Sequence, residues 1–146
     1  MSKRPLVLIV DDELDFRAIC AHVLDRGGYE TATASDGTAG LAAFENFKPD
    51  LVVLDLMLPG VDGLEVCRRI RTQWAHLPVV MLTALAEPED RLAGLEVGAD
   101  DYVTQPFPPR DLVRRVESVL PRAGPGPPGG LTPVPPRGPT PPAPQP

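Results

Sequence analysis

The 146-residue chain is short of several things, and each shortage closes off a class of function. It has two cysteines and two histidines, and aromatic residues make up only 5%. Cys20 and Cys67 stand alone, without C-x-x-C spacing, and fall on the apolar faces of predicted helices. They read as core fillers of a cytosolic protein, not as metal ligands or a disulfide. His22 and His76 have no ligand-spaced partners, which argues against a zinc site. No apolar stretch approaches the ~18 residues of a membrane span, and "MSKRPLVLIVDDE" turns acidic too early for a signal peptide. No membrane association is expected. Positive charge is scarce as well: 20 Asp and Glu stand against 14 Lys and Arg, for a net charge of −6.

What is present divides sharply near residue 121. Residues 121–146 hold 12 of the 20 prolines and five of the 13 glycines, with Arg122 and Arg137 as the only charges. So little apolar surface cannot offset the entropy of ordering, and the segment is expected to be a disordered tail or linker. At ~3.1 Å per residue it would span up to roughly 80 Å. Removing its +2 leaves about −8 on residues 1–120, the expected globular domain. A surface that acidic repels phosphate backbones, so direct nucleic-acid binding is not expected.

Within 1–120, three apolar runs lack polar alternation: "LVLIV" at 6–10, "LVVLDL" at 51–56 and "PVVMLT" at 78–83. They predict strands covered on both faces, as in a parallel sheet. "ETATA" at 30–34 and "DYVT" at 101–104 are weaker strand candidates. Helical spacing fills the intervals. Phe16, Ile19, Cys20, Val23 and Leu24 share one face of a helix closed by Gly27-Gly28. Segments 37–47, 63–74 and 87–97 follow, and "PRDLVRRVESVL" stripes Leu112, Val113, Val116, Val119 and Leu120, with Pro109 suited to a first helical turn. Strand–helix recurs five times, which predicts a doubly wound α/β domain with a five-stranded parallel sheet. Ligands in such a domain bind at the carboxyl ends of the strands.

The acids collect at those ends. Asp11 and Asp12 follow strand 1 directly, and Asp55 stands at the end of strand 3. These strands are neighbours in a doubly wound sheet, so three carboxylates converge. Two carboxylates about 4 Å apart repel by ~4 kcal/mol at an effective dielectric of 20. A hard divalent cation with oxygen ligands is the simplest remedy, and Mg2+ is its natural identity. The same "DDELD" turn excludes a dinucleotide site, which needs glycines and backbone N–H groups around a pyrophosphate; GxGxxG is absent. Thr83 ends strand 4 with a hydroxyl able to donate to a phosphoryl oxygen, and Gln105 ends strand 5 before Pro106.

Together, Asp11-Asp12, Asp55 in "DLMLPGVDG", Thr83 in "MLTA", Tyr102 and the "PF" of 106–107 resemble a response-regulator receiver domain of bacterial two-component systems. The resemblance covers residues 5–120. It implies a flavodoxin-like sheet of order 2-1-3-4-5 and a phosphoryl group accepted on Asp55 from a sensor histidine kinase. It also implies Mg2+ held by Asp12, Asp55 and the Met57 carbonyl, with Asp11 acting through water. Thr83 and Tyr102 would be the switch residues. "EDRLAGLEVGADDYVTQPF" further resembles the OmpR/PhoB-like subfamily, whose members dimerise through helix 4, strand 5 and helix 5. Arg91 would then face Asp111, and Asp101 would face Arg115, across a homodimer. That subfamily usually carries a DNA-binding output, which would have to follow the tail.

One residue departs from the pattern. The family normally has lysine where this chain has Gln105, which donates a hydrogen bond without positive charge. Either an ordinary phosphorylated switch or an atypical, phosphorylation-independent interaction module is compatible with that change. An aspartyl-nucleophile phosphatase of the haloacid-dehalogenase type is disfavoured, because its general acid would stand where this chain has Met57. The domain is therefore expected to be a phosphoacceptor and not a conventional enzyme.

Overall fold

A computed structural model describes residues 4–120. The expected tail at 121–146 lies outside the described residues. The elements alternate strictly: β1 (Leu6–Val10), α1 (Leu14–Arg26), β2 (Glu30–Ala34), α2 (Gly37–Phe47), β3 (Leu51–Leu54), α3 (Gly63–Gln73), β4 (Val79–Thr83), α4 (Pro88–Glu96), β5 (Asp101–Thr104) and α5 (Leu112–Val119). A short 3-10 turn, Pro109–Asp111, leads into α5. All strand pairs are parallel, in the order β2-β1-β3-β4-β5. The two weaker strand candidates are the two edges. Fewer neighbours to pack against is the reason their sequences carry fewer large apolar residues.

Each central strand feeds two cores. Along β1, Val7 and Ile9 pack with Cys20 and Leu24 of α1 and Leu112 and Val116 of α5. Leu8 and Val10 face the other way, with Phe44 of α2 and Val66, Cys67 and Ile70 of α3. Full burial of each such side chain contributes roughly 1.5–3 kcal/mol, and a strand covered on both faces has no position for a polar residue. Both cysteines are buried and free, as expected.

Several boundaries and contacts differ from expectation. β3 ends at Leu54, so Asp55 lies just beyond the strand and not within it. Its N–H still pairs with the Val10 carbonyl at 3.0 Å, but the chain then turns: the Leu58 N–H bonds the Leu56 carbonyl at 3.1 Å. Pro109 opens the 3-10 turn, one turn ahead of α5 proper. Ile19 is 48% exposed, because the sheet covers a narrower stripe of α1 than the five-residue periodicity suggested. Tyr102 is only 2% exposed, although an aromatic at a strand end has every opportunity to face water.

Candidate functional site at the carboxyl edge of the sheet

The parallel register carries β1 and β3 to the same height, so their exits lie side by side. Asp11 and Asp12 leave β1, and Asp55 leaves β3. One carboxylate oxygen from each of the three lies within 4.8 Å of the others. Asp11 and Asp55 are buried and Asp12 is exposed, which gives the cluster one open side.

Local turns aim the buried pair. Asp11 Oδ1 accepts the Glu13 N–H at 2.8 Å, holding the chain as it enters α1. The helix has no side-chain cap of its own. Asp55 Oδ1 accepts the Met57 N–H at 3.1 Å. Gly60, with φ +74°, completes the turn that breaks the apolar run after Asp55. Gly63 then begins α3 against the Asp55 carbonyl, where a Cβ would stand 2.2 Å from that oxygen. Asp62 caps α3 by accepting the Glu65 N–H at 3.0 Å.

The electrostatics are unfavourable by construction. Burial pushes the Asp11 carboxyl up to about 6; the Glu13 N–H partly opposes this, and the charges of Asp55, Asp12 and Glu13 add to it. Burial also raises Asp55, while hydrogen bonds from the Thr83 hydroxyl and the Met57 N–H pull it back. None of the three acids takes part in an ion pair among the described residues. No lysine occurs after Lys48 in the sequence, so no amine reaches the site from β4 or β5. Arg17 donates only to the Asp11 backbone carbonyl, at 2.7 Å, so three oxygen donors with no paired cation and one open side remain, the donor set that a hard divalent ion fits.

The remaining expected residues surround this cluster. Thr83, fully buried, ends β4, and its Oγ1 accepts the Leu85 N–H at 3.4 Å. Gln105 follows β5, and its N–H donates to the Thr83 carbonyl at 2.8 Å, placing it at the same edge. The Gln105–Pro106 peptide is cis. Tyr102 points inward, its hydroxyl donating to the Leu85 carbonyl at 2.8 Å. The Arg91 guanidinium of α4 lies over its ring, 5.4 Å from the centroid. Met57 sends its side chain into solvent and touches the cluster through its backbone alone.

Sequence and structure agree with known proteins over the same span. Residues 7–117 match the response regulator receiver domain. The chain belongs to that family. It is 48% identical over 123 residues to the alkaline phosphatase synthesis transcriptional regulatory protein PhoP of Bacillus subtilis, covering 84% of this chain and 50% of PhoP. It is 47% identical over 122 residues to the phosphate regulon transcriptional regulatory protein PhoB of Pseudomonas aeruginosa, covering 82% of this chain and 53% of PhoB. The chain therefore spans about half the length of these relatives. Among solved structures, Vibrio cholerae chemotaxis protein CheY4 superposes with a TM-score of 0.77 at 33% identity, over 81% of this chain and all of that one. The OmpR/PhoB-like resemblance and the flavodoxin-like sheet order are thus both met. Receiver domains are phosphoacceptors of two-component systems, phosphorylated by histidine kinases, and bind Mg2+ at an acidic pocket.

Two features escaped the sequence. Nothing in "MLTALAE" marks the Leu85 carbonyl as the acceptor for Tyr102, since every residue has a carbonyl. Arg71 and Cys67 of α3, which grip the end of α4, were likewise silent, because their partners are backbone atoms distant in the chain.

Proposed function

We propose that Asp55 is the phosphoacceptor and that Asp11, Asp12 and Asp55, with the Met57 carbonyl, form the Mg2+ site. The observation carrying this reading is the convergence of three carboxylates within 4.8 Å, with Asp11 only 4% and Asp55 only 9% exposed and no paired cation. Asp12 and Asp55 would hold the ion directly and Asp11 through water. Bound Mg2+ would offset the negative charge shared by the acids and the incoming phosphoryl oxygens.

Transfer forms a bond between an Asp55 carboxylate oxygen and phosphorus as the N–P bond of the kinase phosphohistidine breaks. The imidazole nitrogen leaves with the bonding electrons. The Met57 N–H orients the attacking carboxylate. Thr83, buried at the end of β4, donates its hydroxyl to the new phosphoryl oxygen, adding a hold on that side of the crevice. Phosphorylation adds about −1.5 to −2 charge, and the pull reaches the β4–α4 loop, whose Leu85 carbonyl carries Tyr102. The face of α4, β5 and α5 is the proposed output and dimerisation surface. Leu92 and Leu95 of α4 are exposed there. Within one chain Arg115 already pairs with Asp101 at 3.0 Å, and Arg91 is placed on Tyr102. Cross-dimer pairing of Asp101 with Arg115 and of Arg91 with Asp111 would require these contacts to be exchanged or shared. We place the protein in the cytoplasm with a sensor histidine kinase as partner, controlling transcription through an output outside this chain. Direct contact with nucleic acid is assigned no part in this domain, whose charge repels it.

Gln105 favours a second reading, an interaction module that does not depend on phosphate. The neutral amide can donate a hydrogen bond to the phosphoryl group but brings no positive charge to it. Without the lysine's charge the interaction is weaker by about 1–2 kcal/mol, roughly tenfold in the switching equilibrium. Incubation with a small acyl phosphate and Mg2+, followed by peptide mass spectrometry, tests the first reading. A phosphoryl group on the peptide holding Asp55, absent in chelator, is expected. An unmodified Asp55 under conditions that label a control receiver domain would leave only the module.

A further inference from the structure

The two ends of α4 are held by different means. At the C-terminal end, α3 presents two side chains one helical turn apart, Cys67 and Arg71, on the same face. The Cys67 thiol donates to the Val97 carbonyl, with sulfur and oxygen 3.5 Å apart. The Arg71 guanidinium donates to the Gly98 carbonyl through both Nε and Nη2, at 3.2 and 2.6 Å. These are the first two carbonyls beyond Glu96, where α4 ends. The same guanidinium bonds the Trp74 and Leu77 carbonyls at 3.2 and 2.6 Å and the Asp100 carboxylate at 3.1 Å. One cation thus serves the C-terminal ends of both α3 and α4, where the helix dipole favours positive charge. Asp100 is fastened in turn, accepting the Val79 N–H of β4 at 2.8 Å.

The fit at this end is close. Gly98 adopts φ +112°, and a Cβ there would stand 2.6 Å from Arg71 Nε. Gly94 is buried, and a Cβ there would stand 2.8 Å from both Met81 Sδ and a Tyr102 ring carbon.

The N-terminal end has no such hydrogen-bonded grip; Arg91, one turn into α4, only lies over the Tyr102 ring at 5.4 Å from its centroid. Glu87 caps it without a side-chain bond, and Pro88 and Glu89 are exposed. The loop before it is held across to the sheet by the Tyr102 hydroxyl on Leu85, with the long contact from the Leu85 N–H to Thr83.

We infer that Cys67 and Arg71 of α3 anchor the C-terminal end of α4 to the sheet, so that α4 swings about Gly98 from its N-terminal end. The inference rests on the proposal above that this face switches, but the anchor has consequences of its own. Free ends at both termini would let α4 slide or melt when the β4–α4 loop moves. One fixed end converts the same displacement into a tilt, largest near Leu85 and least at Gly98.

Amide hydrogen exchange on the whole chain tests this, in native protein, Arg71→Gln and Cys67→Ala, each with and without beryllofluoride and Mg2+. The reporting amides at the anchored end are Gly98, Ala99 and Asp100, which donate to Leu95, Gly94 and Val79. In the native protein, beryllofluoride should alter exchange over residues 84–92 and leave 98–100 unchanged. In Arg71→Gln, exchange at 98–100 should rise at least tenfold without ligand, and the beryllofluoride response should spread into it. Cys67→Ala, a smaller change, should raise it several-fold and serves if the arginine variant fails to fold. Unchanged protection at 98–100 in both variants overturns the anchor, whatever beryllofluoride does. So does a rise spread evenly over the domain, which would mean general destabilisation. A native protein silent to beryllofluoride, with 98–100 still loosened in Arg71→Gln, removes the switch and retains the anchor.

Discussion

The two edges of the sheet use aspartate in opposite ways. At the amino edge, Asp50 precedes β3 and accepts the Leu6 N–H of neighbouring β1 at 2.8 Å. Asp100 precedes β5 and does the same for Val79 of neighbouring β4, with Arg71 alongside. Each carboxylate there satisfies a backbone donor that the parallel ladder leaves open at its first residue. At the carboxyl edge, Asp11, Asp12 and Asp55 crowd one another, and burial raises the first and third above the ordinary carboxylate range. The difference teaches that a strand end is chemically neutral. Acids paired with N–H groups and arginine stabilise the fold, whereas acids facing each other oppose it until something offsets their charge.

Breaking the paired edge should destabilise the fold directly. Asp100→Ala leaves the Val79 N–H and part of Arg71 without an acceptor and should cost roughly 1–3 kcal/mol in denaturant unfolding, with Asp55 still phosphorylated. A stability unchanged by that substitution would erase the contrast from the amino side.

The crowded edge should lose stability as pH rises. Asp11 binds its proton more tightly in the folded chain than in the unfolded one. Its contribution is therefore full below about 3.8 and is lost as pH rises through about 6. In chelator, native protein should lose on the order of 2 kcal/mol relative to Asp11→Asn across that window. At pH 7, Mg2+ at 100 times its dissociation constant should restore about 2.7 kcal/mol, read as a rise in Tm. A melting temperature indifferent to Mg2+ would mean that the acids do not form a metal site.

Gln105→Lys sharpens the comparison by placing a cation at the crowded edge. The shift of the switching equilibrium on beryllofluoride binding should grow about tenfold, measured by NMR at Thr83 and Tyr102. Equal responses would make the glutamine a neutral replacement. Least affected should be Arg115→Ala, which removes the exposed pair with Asp101 and should change stability by about 0–1 kcal/mol in calorimetry.

Much of the fold and of the acidic site is legible in the sequence. The central strands were readable because burial on both faces removes polar residues, as Val52 and Val53 illustrate by packing into opposite cores. Asp55 was conspicuous for the same reason, a charge at the end of such a run. Tyr102 was half legible: its position at a strand end was plain, its inward pose was not, since the acceptor is the Leu85 carbonyl. Ile19 followed helical spacing and still faces water, because periodicity marks a face but not how far the neighbouring layer extends over it.

The sequence by itself determined the alternation of elements, the parallel sheet and the identity of the acids, because these follow from local chemistry and from which residues avoid water. Only the tertiary structure decided that Tyr102 turns inward onto the Leu85 carbonyl, that Arg115 meets Asp101 in its own chain, and that Arg71 grips the end of α4. Those facts depend on backbone atoms and on distances between residues remote in sequence, which no local pattern encodes.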